Sequence, residues 1–160
     1  MKSVRFYILI GAFLLSVALL FSIGGKRSFA QSGNDFVHET SSRSFHGTIS
    51  ALKRAISENG MMIAGGMNQK RILSMTGLYL KGARSFFVGN PVFGKKLFAM
   101  NPAVGAVVPF RIYVWVNHQG NTEVGYFKPS SHLAEISPMM KMAGSMLDRK
   151  IAMMVHAATH

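Results

Sequence analysis

The segment "SPMMKMAGSMLDRKIAMMVHAATH", residues 137–160, gathers the soft metal donors of this chain. On a helix, Met139, Met142, Met146 and Met153 fall within one narrow arc, with Met140 and Met154 beside it. Thioether sulfur suits Cu(I), above all where thiols would be oxidised. His156 and His160 stand one helical turn apart, so two imidazoles share one face. Lys150 falls within the methionine arc, however, and its charge opposes a cation. An apolar stripe at helical spacing ordinarily packs on a sheet or a partner helix, where Met fills irregular gaps. The expectation is a stripe that lies in the core or at a dimer interface, with a copper site as the alternative.

A second stretch, "FFVGNPVFGKK" at 86–96, has the Gly-x-x-x-x-Gly-Lys spacing of a phosphate-binding loop. Such a loop needs Ser or Thr after its Lys to hold magnesium, and here Lys96 follows Lys95. Pro91 stands inside the would-be cradle and has no N–H to offer an anion. Gly89, Asn90 and Pro91 read instead as a structural turn from strand to helix: Asn at the N-cap, Pro at the first helical position.

The histidines are dispersed. His38 precedes Glu39, but neighbours on a strand point to opposite faces. His118 sits in a turn, and His132 and Glu135, three apart near a helix start, suit capping or a surface pair. No Ser-centred nucleophile elbow is present. No residue is singled out as catalytic, and an enzyme using His38, His118 or His132 as base is the weakest of the readings. With no cysteine in 160 residues, thiol catalysis and thiolate metal sites are excluded.

These residues need elements to hold them. Ser44 caps a helix in which Phe45, Ile49, Leu52 and Ile56 recur at helical spacing, and Gly60 stops it. "DFVHETS" suits an edge strand, "MMIAGG" and "ARSFFVG" are apolar strands, and "MNQKRILSMTGLYLKG" between them reads as loop with one irregular turn. Asn101–Pro102 ends the helix begun at Asn90. In "FRIYVWVN", Ile112, Val114 and Val116 face one way and Arg111, Tyr113 and Trp115 the other. "HQGN" turns this strand into "TEVGYF", a hairpin partner. After Pro129 the chain reads as helical to its end, with Pro138 in the first turn of the last helix. The order strand, helix, strand, strand, helix, strand, strand, helix implies an α+β fold: a mainly antiparallel sheet with helices packed on one face. Tyr113, Trp115, Tyr126 and Phe127 are the candidate lining of a pocket between sheet and helices.

The first thirty residues differ in kind. A basic head of Lys2 and Arg5 precedes an apolar run from Phe6 to Ile23, and small Ser28 and Ala30 suit a peptidase cut after Ala30. Residues 1–30 are thus read as a signal peptide or an uncleaved anchor, 31–34 as a linker and 35–160 as one domain. The expected location is periplasmic or secreted, or anchored at the membrane if the leader stays. Without the leader, 14 Lys+Arg face 6 Asp+Glu, a net charge of +8. That excess favours an anionic surface or small ligand by long-range attraction. The basic residues come as scattered pairs, Lys53–Arg54, Lys70–Arg71, Lys95–Lys96 and Arg149–Lys150, so no nucleic-acid partner is expected.

"FFVGNPVFGKKLFAMNP" followed by "VVPFRIYVWVNHQGNTEVGYF" resembles the domain of unknown function 302 family. "SFHGTISALKRAISENGMMI" is similar to that family's opening amphipathic helix, so the resemblance spans roughly residues 36–150. It implies a small α+β domain, commonly a homodimer, with no established activity and no catalytic residue to carry over. Where an acidic or histidine-bearing loop would be expected after the first helix and strand, this chain has "GGMNQKR". Two functions remain. One is an exported, non-catalytic, homodimeric binding module for an apolar or anionic ligand, with no cofactor. The other is a periplasmic copper-handling protein using the Met/His helix.

Overall fold

A computed structural model describes residues 35–160. The leader and linker expected over 1–34 lie outside the described residues. Five strands, β1 (Phe36–Ser41), β2 (Met62–Met67), β3 (Ala83–Gly89), β4 (Phe110–Val116) and β5 (Thr122–Phe127), form one sheet in the order β1-β5-β4-β3-β2. Every neighbouring pair is antiparallel. The helices are α1 (Phe45–Glu58), α2 (Gln69–Ser74), α3 (Pro91–Met100), α4 (Pro129–Ile136) and α5 (Lys141–Thr159). The fold is α+β. No helix among the described residues is long and apolar enough to cross a membrane.

Local chemistry sets the boundaries. The Ser44 Oγ accepts from the Gly47 amide, so a free donor of the first turn of α1 is satisfied. Gly60, at φ 65, takes the left-handed geometry that turns the chain out of α1 into β2. Asn90 Oδ1 accepts from Phe93 N at 2.9 Å, and its amide donates to Gly60 O at 2.7 Å, which ties the start of α3 to the end of α1. In the β4–β5 turn, Gly120 adopts φ 92 while Asn117 Oδ1 accepts from Asn121 N.

Two local expectations are corrected. The stretch after β2, expected as loop with one irregular turn, carries a regular short helix: Asn68 accepts from Arg71 N and caps α2. The C-terminal helical region is two helices, because Ser137 is extended (φ −158, ψ 130) and Pro138–Met140 form a 3-10 turn before α5 begins. Pro138 therefore sits in that turn, not in the first turn of α5; the residue before a proline is pushed out of helical geometry.

The core lies between the sheet and the helices. Leu52 and Ile56 of α1, Ile112 and Val114 of β4, Val124 of β5, Leu133 of α4 and Ile151 and Val155 of α5 are almost wholly buried together. Register puts Val37, Glu39 and Ser41 of β1 on this helix-covered side, opposite Tyr126, Val124 and Thr122. The other face of the sheet carries Phe36, His38 and Thr40, then Phe127, Gly125 and Glu123, then Arg111, Tyr113 and Trp115.

Candidate functional site

Aromatic side chains gather on the sheet face away from the core. Tyr113 stacks on Trp115 with ring centroids 5.2 Å apart and planes at 10°. Phe36 meets Phe127 at 5.2 Å and Trp115 at 6.2 Å. Gly125 lies beneath them: a Cβ there would stand 2.8 Å from the Phe36 ring and 3.0 Å from Trp115, so only glycine lets both rings close over β5. Beside the cluster is a hollow of ≈ 210 Å³ bordered by Phe36, Tyr113, Phe127, Arg111, Gln69 and Ser85. The Gln69 amide donates to Ser85 Oγ, which leaves its Oε1 buried without a partner.

This placement corrects the expected pocket in two ways. The aromatics Tyr113, Trp115 and Phe127 lie on the face opposite α1, α4 and α5, not between the sheet and those helices, and only the start of the short helix α2, through Gln69, borders them. Tyr126 parts from them: it pairs with Ile112 and is only 4% exposed, within the core. Adjacent residues on a strand point to opposite faces, so Tyr126 and Phe127 cannot line one side together.

Burial raises the Tyr126 hydroxyl above its ordinary pKa, and the Asp148 and Glu39 carboxylates push it the same way. Tyr113 is raised by burial too, against the lowering effect of Arg111. In the unfolded chain both phenols ionise near pH ~10, while in the fold they remain neutral to higher pH. Stability is therefore complete below about pH 10 and falls as pH climbs through the folded-state pKa values. Urea melts between about pH 9 and 11 should show a shallower decline for Tyr126→Phe than for the parent chain; equal declines would remove Tyr126 as a cause.

His38 finds a partner that its neighbours in sequence do not suggest. Its Nδ1 stands 3.3 Å from Oε2 of the buried Glu123, across the β1–β5 pair. Thr40 Oγ1 and Asn117 Nδ2 also donate to that carboxylate, at 3.0 and 2.9 Å. Thr40 and Asn117 thus satisfy the buried carboxylate with His38 beside it, and the group closes one end of the aromatic face. His118 is exposed in the β4–β5 turn, and His132 meets the Phe127 ring edge-on at 6.0 Å, while Glu135 is exposed.

The methionine arc does not enter the core. Met139, Met142, Met146 and Met153 are 78%, 78%, 55% and 58% exposed, whereas Met140 and Met154 are buried. The inward arc of α5 is Gly144, Leu147, Ile151, Met154, Val155 and Ala158, packed on α1, α4 and β1. Met146 and Met153 instead help to line a groove of ≈ 520 Å³ against the start of α3. Met61, Val92, Phe93 and Leu147 complete its apolar floor, and Lys96, Arg149 and Lys150 bring three cations to its rim. No carboxylate lines it. Its walls are thus apolar and its charged groups all positive.

His156 and His160 lie at the far end of α5, with ring centroids 4.3 Å apart. Glu39 of β1 joins them: its Oε2 is 3.5 Å from His156 Nδ1 and 4.0 Å from His160 Nδ1. Sequence reasoning missed this carboxylate, because only the packing of α5 across β1 brings it near. Gly89, Asn90 and Pro91 form the capped entry to α3, with Lys95 and Lys96 exposed.

Residues 37–157 match the family model "Domain of unknown function DUF302". No curated protein matches the chain. Among solved structures, it is similar to that of an uncharacterized conserved DUF302 protein from Bacillus stearothermophilus, with a TM-score of 0.74 and 19% identity over 79% of this chain and 99% of that one. At that identity the likeness speaks for the fold alone. A family match over most of the chain establishes the relation: the chain belongs to the DUF302 family of domains of unknown function.

Proposed function

We propose that this protein is an exported, non-catalytic, homodimeric binding module that holds a small amphiphilic anion in the groove between α3 and α5. One observation carries the reading: the roomiest hollow among those described has an apolar floor of Met61, Phe93, Met146, Leu147 and Met153 and a rim of Lys96, Arg149 and Lys150. Its ≈ 520 Å³ falls within the ordinary range of small-molecule sites, about 300–1,000 Å³. Flexible thioethers adapt to varied apolar bodies, which suits a class of ligands more than one rigid shape. The net positive charge of the chain adds long-range attraction for an anion. Export rests on the basic head and apolar run of the first thirty residues. Self-association rests on the family resemblance and on the uncovered aromatic face around Phe36, Trp115 and Phe127.

Native mass spectrometry on the chain expressed with its leader tests each part. Dodecanoate should bind in preference to dodecyltrimethylammonium, and Lys96→Glu/Lys150→Glu should weaken dodecanoate about tenfold, the equivalent of ~1.4 kcal/mol. Equal binding of the two probes, or no loss in the double variant, would sink the groove. The same spectra should show a dimer and a chain that begins at Gln31; a monomer alone, or a cytoplasmic full-length product, removes those parts separately.

A further inference from the structure

We propose that Glu39, His156 and His160 form a binding site for a borderline divalent transition-metal ion, of the Zn2+ or Cu2+ type. The three donor atoms, one carboxylate oxygen and two imidazole nitrogens, all lie within 4.8 Å of one another. Ligands about 2.0–2.1 Å from a tetrahedral ion stand ~3.3 Å apart, so the 3.5 Å between His156 Nδ1 and Glu39 Oε2 is close to what an ion requires. His160 Nδ1 stands 4.0 Å from the same oxygen, so its exposed ring has to move closer to share the ion. Both nitrogens that face the carboxylate are Nδ1; that of His160 also stands 3.0 Å from Thr159 Oγ1 and 3.4 Å from His156 O, contacts that an ion would replace.

The donors come from two elements that are fastened together. Ser42 N and Ser42 Oγ both donate to Thr159 O at 2.9 Å, and Ser41 Oγ reaches the same carbonyl at 3.3 Å. The end of β1 is thus stitched to the last turn of α5. Thr159, itself fully buried, places its hydroxyl 2.8 Å from Glu39 Oε2. A hydrogen bond to a ligating carboxylate orients it and is a usual outer-shell feature of metal sites.

Donor chemistry selects the metal. Two imidazoles and a carboxylate are borderline to hard, which suits Zn2+, Ni2+ or Cu2+ and not Cu(I), for which the thioethers were the expected ligands. Three protein ligands leave at least one coordination position open to water or an exogenous group. Met146 and Met142 stand about three and four helical turns from His156, Met139 lies in the turn before α5, and Met153, under one turn away, lines the groove against α3, so the three donors are distinct from the methionine arc.

Isothermal titration of the untagged protein with ZnCl2 and with CuSO4 tests the inference, together with electron paramagnetic resonance of the copper form. One equivalent of metal and nitrogen splitting from two imidazoles are expected. His156→Ala and Glu39→Gln should each weaken binding tenfold or more, and His156→Ala/His160→Ala should abolish it. His118→Ala and Met139→Leu/Met142→Leu/Met146→Leu/Met153→Leu should bind as the parent does. The histidines are exposed, so their removal leaves the fold intact by circular dichroism. Absence of saturable binding, retention in the double histidine variant, or loss confined to the methionine variant would each overturn the proposal.

Discussion

Gly144→Ala should destabilise the domain by about 1–3 kcal/mol, although alanine is the better helix former by about 1 kcal/mol. Gly144 sits near the start of α5, where the helix meets the first turn of α4. A Cβ added there would overlap Ser130 Cα and come within 2.9 Å of Ser130 N, which is backbone and cannot rotate away. Either the two helices part or the start of α4 shifts. Both movements strain another contact, since Asp148, one turn on from Gly144, accepts from Ser130 N at 3.0 Å. The first residue before α4, Lys128, supplies no side-chain cap, so this carboxylate from α5 does the capping. The substitution therefore sets a helix-propensity gain against a steric clash and a strained cap. Chemical denaturation decides the sign: a more stable Gly144→Ala would mean that α4 and α5 do not approach this closely. Asp148→Ala should show the cap alone, a loss of about 1 kcal/mol.

Much of the fold was legible because its signals are local. Ser44, Gly60 and Asn90 mark helix ends by chemistry that acts over three or four residues, and the alternation from Phe110 to Val116 is a property of one strand. The Asn68 cap was equally local but was hidden by a polar, glycine-flanked context that reads as loop. What local signals leave open is which strands become neighbours. β1 pairs with β5, not with β2 or β3, and this choice brings His38 to Glu123. The crossing of α5 over the same strand brings His156 to Glu39. Both candidate sites are products of tertiary contacts between segments far apart in the chain. The groove follows the same rule: Met146 and Met153 gain their partners only because the capped start of α3 lies against α5.

The methionine arc shows where periodicity itself falls short. α5 carries two apolar arcs, one with Leu147, Ile151, Val155 and Ala158 and one with Met142, Met146 and Met153, which Met139 extends from the preceding turn, and a 3.6-residue period fits either. Shape breaks the tie. Compact side chains and Gly144 allow close approach to α1 and α4, whereas the long thioethers, with Lys150 among them, are left for the outer side. The consequence is that four methionines lie on the surface, two of them, Met146 and Met153, next to three cations. Such exposure is costless to folding only if those residues are not part of the core, and that can be measured.

Ile151→Ala should therefore cost about 2–5 kcal/mol, and Met153→Ala, two residues along the same helix, less than about 0.5 kcal/mol. Ile151 is fully buried at the centre of the inward arc, so its truncation removes several methylenes from a packed layer and leaves a cavity between α5, α1 and the sheet. Met153 is 58% exposed, so its truncation returns little area to water. Against a total stability of about 5–15 kcal/mol, the first change removes a large fraction and the second is close to silent. The contrast bears on function because the two residues report different roles. If Met153 is held for a ligand, its truncation should leave denaturation unchanged yet weaken dodecanoate binding by the loss of one wall of the groove. Equal destabilisation by both substitutions would place the methionine arc in a buried interface, and the groove between α3 and α5 would then be closed to any small molecule.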